Sequence, residues 1–194
     1  ADGGVPAITD VNDDYDEEVS KAFEAGFKAT LLENSLSLNG AVFHTDLDDM
    51  QFFNFFAGPF GLLRVVTNID SVQITGFELD ARWRATDWLT LSGGYGYVSG
   101  EIDRYAGRPY TEGNEIPYAP EYTANLAADV QFPISNSITL VGRLDGSFVG
   151  ETWFHPVQDN QVGTLFGVPG DYSKTRRDSY NVFNARLGVQ TDSW

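Results

Sequence analysis

Residues 71–99, SVQITGFELDARWRATDWLTLSGGYGYVS, decide the fold. In the first half the odd positions are Phe77, Leu79, Ala81 and Trp83, and the even positions are Gly76, Glu78, Asp80, Arg82 and Arg84. Successive side chains of a strand point to opposite faces, so one face is apolar and aromatic and the other charged. Ala85-Thr86-Asp87 is too short for anything but a tight turn. Trp88-Leu89 then opens a second alternating run that carries Tyr95 and Tyr97 near its far end. Each run is longer than the roughly five or six residues of an ordinary strand. Long strands with one apolar face and aromatics near the ends spell a transmembrane β-hairpin. A soluble sheet packed on a core would alternate in the same way, but a face bearing Glu78, Asp80, Arg82 and Arg84 suits a wet lumen better.

The same writing extends in both directions, predicting strands at about 19–32, 35–46, 71–85, 88–99, 119–132, 138–150 and 180–190. The first places Phe23, Ala25, Phe27, Ala29 and Leu31 on one face, interrupted by Lys21. In the second, Leu36, Leu38, Gly40 and Val42 alternate until Phe43 breaks the pattern, which predicts a bulge or register change there. The fifth is the cleanest, with Tyr122, Leu126 and Val130 opposite Asn125 and Asp129. Pro133 cannot donate to a ladder, so 133–137 reads as a short turn. The sixth sets Leu140 and Leu144 against Arg143 and Asp145. Phe77, Leu79, Ala81, Trp83, Tyr122, Leu126 and Val130 are expected to face lipid. Glu78, Asp80, Arg82, Arg84, Asn125, Asp129, Arg143 and Asp145 are expected to face the lumen.

The connections alternate between short (33–34, 85–87, 133–137) and long (46–70, 100–117, 151–178). Short turns on one side of the membrane and long loops on the other produce this rhythm in an outer-membrane barrel. A β-sandwich has no physical reason to gather its long loops at one end. Seven strands are an odd number, and Thr191-Asp192-Ser193-Trp194 repeats the device Thr86-Asp87-Trp88 that opens a strand after a turn. The expected fold is therefore all-β: an antiparallel up-and-down transmembrane β-barrel segment of about seven long strands, incomplete. It should form an open curved sheet with free edges at 19–32 and 180–190, because the two edge strands are not expected to pair.

Composition narrows the function. The 194 residues carry 28 acidic and 12 basic side chains, a formal charge of −16, which argues against nucleic acid, whose phosphates demand a basic face. There is no cysteine, hence no disulfide or thiolate metal site. No nucleophile elbow, phosphate loop, HExxH or cysteine–histidine pair appears, so no enzyme, cofactor or metal site is predicted. No run approaches the roughly 18 apolar residues of a membrane helix, and alternating barrel strands give only a weak hydropathy signal. Residues 1–18 form an acidic loop whose spacing fits no calcium-binding pattern. Asp46, Asp48 and Asp49 are a weaker candidate for bridging surface cations.

Loops above a rigid scaffold carry most binding function. The expected ligand contacts are Phe52, Phe53, Phe55, Phe56, Tyr105, Tyr110, Trp153 and His155, since aromatics bury large area while losing few rotamers. Two structural readings stand beside this one. The phenylalanines can extend the hairpin and pack on a neighbouring loop, and a lone histidine such as His155 is commonly polar surface. The third long loop also holds a basic cluster, Lys174, Arg176 and Arg177.

Several motifs in order resemble the C-terminal half of the β-barrel of TonB-dependent outer-membrane receptors. They are Glu17-Glu18-Val19-Ser20 with Phe23-Glu24-Ala25-Gly26-Phe27-Lys28; Leu36-Ser37-Leu38-Asn39-Gly40 with Asp46, Asp49 and Gln51; and Asn68 followed by Gly76-Phe77-Glu78. Trp88-Leu89-Thr90-Leu91 with Tyr95-Gly96-Tyr97, then Ile116-Pro117-Tyr118-Ala119-Pro120-Glu121-Tyr122, complete the likeness. The resemblance implies a bacterial outer-membrane receptor, embedded in outer-membrane lipid. It would take up a scarce small-molecule nutrient (ferric siderophore-like, cobalamin or saccharide), with an N-terminal plug domain and TonB as partners. A passive porin-like channel and a soluble β-sandwich carbohydrate-binding module are the alternatives.

Overall fold

A computed structural model describes residues 14–58, 61–163 and 169–191. Seven long strands follow one another: β1 (Val19–Leu31), β2 (Leu36–Gly58), β3 (Gly61–Arg84), β4 (Leu89–Arg104), β5 (Tyr122–Ser135), β6 (Ile138–Val149) and β7 (Tyr180–Thr191). Each pairs antiparallel with its sequence neighbour, in spatial order β1 to β7. β1 pairs only with β2, and β7 only with β6, so the sheet is open at both edges as the sequence predicts.

Register joins the alternating patterns into two continuous faces. Val42 stands opposite Ala25 and Phe77, Phe77 opposite Tyr97, and Tyr97 opposite Tyr122. The apolar face continues through Leu126 opposite Gly146 and Gly146 opposite Phe183. Large side chains lean over glycines on this face, Phe27 over Gly40, Leu126 over Gly93 and Phe183 over Gly146. Tyr122 to Phe132 is about 33 Å of strand, or roughly 25 Å of height at the ~40° tilt of an outer-membrane barrel. The face turns polar beyond Val42 and Phe77, where His44 and Thr75 pair. Aromatics mark the other limit, where Trp88 meets Phe132 edge-on at 5.7 Å.

The short turns all lie at one end. Leu32, Glu33 and Asn34 turn with φ of 51°, 53° and 68°. Thr86 Oγ1 accepts from the N–H groups of Trp88 (3.3 Å) and Leu89 (3.0 Å), holding the second turn. The third is narrower than the sequence predicts. Pro133 stays in β5 beside a register irregularity, and only Asn136 and Ser137 turn, because a proline at a bulge forfeits no ladder bond.

Two further expectations change. Phe43 causes no bulge: the ladder with β3 is unbroken from Leu36 to Asp48. Phe43 sits instead on the polar face, where its ring covers Gly76. The connection predicted at 46–70 is largely ladder, since β2 reaches Gly58 and β3 starts at Gly61 in the same register. One pair in it is unbridged, Asp49 and Asp70, and Asp49 has φ 56°. Covering changes parity there. Leu47, Val72 and Ile74 are packed below it, and Met50, Phe52 and Ile69 above it. A single left-handed residue lets an otherwise regular hairpin turn its other side to the protein.

That side closes a core. Phe52, Ile69, Val72, Ile102, Tyr105 and Ile116 form one buried cluster at the end with the long connections. Asn68 and Gln51 tie residues 14–18 to the same hairpin. The Asp16 N–H donates to Asn68 Oδ1 at 2.8 Å, and the Gln51 N–H to Glu18 Oε2 at 2.9 Å. Residues 1–13 of the acidic loop lie outside the described residues.

Candidate functional site

The connection after β4 folds back along its own strand. Ile102 N–H donates to the Asn114 carbonyl (2.9 Å), Ile116 N–H to Gly100 (3.0 Å) and Val98 N–H to Glu121 (2.9 Å). This strand-like return carries Ile116 into the core. It starts from a one-turn 3₁₀ helix, Pro109–Thr111, whose fully buried Thr111 donates its hydroxyl to the Arg108 carbonyl at 2.9 Å.

The connection after β6 docks on that return through side-chain bonds. Asn114 Nδ2 donates to the carbonyls of Pro156 (2.8 Å) and Val157 (3.2 Å). Gln158 Nε2 donates to the Glu115 carbonyl at 2.6 Å, and its Oε1 accepts from the Glu115 N–H at 3.3 Å. The Tyr118 N–H donates to the Trp153 carbonyl at 2.7 Å. Thr152–Trp153 forms a two-residue ladder with Arg176–Arg177. The Arg176 guanidinium lies 5.3 Å over the Trp153 ring. Most of the buried polar groups named here are thus paired, as a dry contact requires, while Arg108 Nη1 is buried without a partner among the described residues; the two connections form one cap.

Burial also sets the cap's charge. It pushes the Glu115 carboxyl up, helped by repulsion from Glu151 and Glu121. Burial lowers His155 to about 4, with the neighbouring Arg108 adding to the shift. The neutral ring suits its bonds: Nδ1 accepts from the Val157 N–H at 3.2 Å, and the ring stacks on Tyr172 at 4.3 Å. At the base of the cap, Asp46 bonds His44 (3.2 Å) and Asp48 pairs with Lys21 (3.3 Å), so neither aspartate waits on a cation for a partner.

The predicted contact residues divide. Phe52, Tyr105 and Trp153 are buried in the cap. Phe53 stacks on Phe52 at 5.6 Å and keeps an exposed face. Tyr110 is exposed on the 3₁₀ turn, and His155 is half-buried. Phe55 and Phe56 stand opposite Arg64 and Leu63 in the ladder, and their side chains lie outside the described residues.

Sequence reading missed the residues that link these pieces. Tyr118 lies 6.4 Å from Phe53 and 5.6 Å from Phe154. Arg177 lies over both Phe154 (5.8 Å) and Tyr180 (4.7 Å). In the sequence Tyr118 is one residue of the run Ile116–Tyr122 that carries the family likeness, and Phe154 is a lone aromatic between Trp153 and His155. The one local signal was the basic cluster around Arg177.

The predicted polar residues share one face of the sheet. Arg143 Nη1 donates to both Asp129 oxygens (2.9 and 2.8 Å), and its Nε to Asp145 Oδ1 (3.1 Å). Asn184 Nδ2 occupies the other Asp145 oxygen at 2.9 Å. Glu78, Asp80 and Arg82 stand between small neighbours, with Gly96, Gly94 and Ser92 opposite them on β4, and Arg84 faces Thr90. Asn125 faces Gly94 and Ser147.

The family model for the TonB-dependent receptor-like β-barrel matches residues 2–194. The pesticin receptor of Yersinia enterocolitica is 28% identical over 158 residues, covering 80% of this chain and 20% of that protein. A probable TonB-dependent siderophore receptor, PiuA of Acinetobacter baumannii, is 27% identical over 124 residues, 59% of this chain and 16% of the relative. The chain therefore spans about a fifth of such relatives. Among solved structures, the ferric yersiniabactin uptake receptor FyuA of Yersinia pestis aligns with a TM-score of 0.66 at 22% identity, covering 90% of this chain and 23% of that one. The copper transporter OprC aligns at 0.61 with 14% identity, covering 86% and 22%. These likenesses carry the fold. With the family match over nearly the whole length, the open seven-stranded sheet and its alternating faces, the chain belongs to the TonB-dependent receptors, of whose β-barrel it is a part.

Proposed function

We propose that the chain is the barrel part of an active-transport receptor in the bacterial outer membrane, taking up a scarce nutrient such as a ferric siderophore, cobalamin or a saccharide. The observation that carries this reading is the division of the sheet. An apolar face of membrane height lies below a packed cap that exposes aromatic side chains. The apolar face meets lipid, and the face bearing Glu78, Asp80, Arg82, Arg84, Asn125, Asp129, Arg143 and Asp145 lines the lumen. The ligand is met at the cap, where Phe53, Tyr110 and His155 remain accessible. A plug domain and TonB, expected of the family, supply the energy coupling from outside this chain. No catalytic step is assigned to it.

The test is uptake of labelled ferric chelates, cobalamin and oligosaccharides by cells expressing the full-length receptor, with and without TonB. Saturable uptake of one of them that stops on loss of TonB is the expected result. Uptake that is non-saturable and indifferent to TonB makes the protein a passive channel.

A further inference from the structure

The apolar face of the sheet is not of one height. Val42, Phe77, Tyr97 and Tyr122 form a single row of paired residues from β2 to β5. On β2 the row lies six residues from the turn-side end of the strand, Leu36, and on β5 thirteen residues from Ser135. The turns at those ends share one side of the sheet, so the row climbs away from them between β2 and β5. Strands about 4.8 Å apart and tilted by ~40° give a climb of about 3 Å per strand. Tyr122 therefore stands about 9 Å above Val42. The turn-side limit of the face is level by the same geometry, with Leu36 and Phe132 within about 1 Å of each other in height. The apolar height is thus about 15 Å on β2 and about 25 Å on β5.

Polar side chains stand directly above the low side. Lys21 is opposite Asp46, and His44 is opposite Thr75, on the outward face of β1, β2 and β3. His44 Nδ1 bonds Thr75 Oγ1 at 2.9 Å, and its Nε2 bonds Asp46 Oδ1 at 3.2 Å. Lys21 Nζ donates to Asp48 Oδ2 at 3.3 Å. These bonds occupy one oxygen of each aspartate, and Lys21, His44, Asp46 and Asp48 each keep two-fifths or more of the side chain open. His44 nevertheless lies about 4 Å below Tyr122 in height. A flat bilayer fitted to β5 would press hydrocarbon against these groups, which leaves hydrogen bonds unmade and charge unsolvated.

Resting on the reading that this sheet spans the outer membrane, we propose that the β1–β3 side of the wall thins the outer leaflet, drawing lipid headgroups and their water down onto Lys21, His44, Asp46 and Thr75. A bilayer matches a short apolar stretch by local thinning at a modest cost per ångström, and the polar row returns hydrogen bonds to the headgroup layer. The β5 side holds the leaflet at full height, so the membrane slopes around the barrel.

Val42 and Leu126 provide the test. Both side chains are exposed on the apolar face, and the register and tilt put them within about 1 Å of the same height. Nitroxide labels are attached at Val42→Cys and, separately, Leu126→Cys in the full-length receptor, with any other cysteine replaced, in phosphatidylcholine vesicles. Relaxation by oxygen against a water-soluble nickel chelate reads the depth of each. The label at position 42 should lie at least about 5 Å nearer the headgroups than the label at 126. Replacing His44→Leu, Asp46→Leu and Thr75→Val together extends the apolar height, and should move the position-42 label deeper while leaving 126 in place. Equal depths at 42 and 126 overturn the proposal, as does a position-42 label that stays put in the folded combined variant. If that variant does not fold, the comparison between 42 and 126 decides by itself. A position-42 label shielded from both reagents also overturns the proposal, since it marks a protein neighbour rather than lipid. Two labels that both read as water overturn the spanning reading with it, whereas TonB-independent uptake would overturn the receptor reading and leave the slope standing.

Discussion

The membrane-height sheet and the cap above it are built on opposite principles. Among the described residues, every buried hydrophobic side chain belongs to the cap or to the upper strands beneath it: Phe52, Val65, Ile69, Val72, Ile102, Tyr105, Ile116, Trp153 and Val157. On the apolar face of the sheet Phe27, Leu126, Leu144 and Leu187 are all exposed. A single curved sheet has no second layer to pack against, so its apolar face needs a hydrocarbon solvent and its ladder supplies the order. The cap stands in water and must bury its own apolar surface and satisfy its own polar groups. One part of the chain takes its stability from the surroundings, the other from packing.

The largest expected effect falls on the cap. Ile102 is fully buried beside Val72 and Ile116. Ile102→Ala should cost about 2–5 kcal/mol of cap stability through lost transfer and a residual cavity. Hydrogen exchange on the full-length receptor should show faster exchange in residues 105–121 and 150–158 and unchanged protection in β5 and β6. Loss of protection in those strands too would mean that the two regions fold as one.

The sheet should respond to its solvent rather than to cavities. Leu126→Arg puts a charge at the middle of the apolar face and should cost about 2–4 kcal/mol, whereas Asn125→Arg, one residue away on the polar face, should cost much less. Folding of the full-length protein into vesicles against denaturant measures both. Equal costs would erase the distinction between the faces.

The smallest effect sharpens the cap's dependence on water. His155 titrates near 6.5 in an opened loop and at about 4 when packed. The opened loop binds the extra proton, so His155 contributes stability that is present above about pH 6.5 and is lost as pH falls towards about 4. Glu115, with its carboxyl pushed up, acts in the opposite sense and favours the packed cap at lower pH. Opening of residues 150–158, read as hydrogen exchange relative to the intrinsic amide rate at each pH, should therefore gain a His155 contribution that rises from about pH 7 to about pH 5. His155→Phe, which keeps a ring against Tyr172, should flatten that rise. An unchanged pH response in the variant would assign it to other groups.

Much of this was legible in the residues. Period-2 alternation in runs such as Tyr122 to Phe132 specifies strand, face and register together, because a one-residue slip would turn the whole apolar set to water. The rhythm of connections then orders the strands. The misreadings came where a residue's neighbour lies on another strand. Phe43 looks like a break until Gly76 is seen beneath it. The phenylalanine-rich segment looks like a loop until its exact partner run, 61–69, is paired with it.

By itself, then, the sequence determined an open, antiparallel, seven-stranded barrel part with one apolar and one polar face, since the solvent on each side of a single sheet imposes a local repeat. Tertiary structure alone decided the cap: that Asp49 changes which side of the hairpin is covered, that Asn114 and Gln158 join two connections, and that Tyr105 and Trp153 are buried while Tyr118 and Phe154 are presented. Those outcomes depend on contacts between segments tens of residues apart, and no local repeat encodes which of several loop aromatics finds the core first.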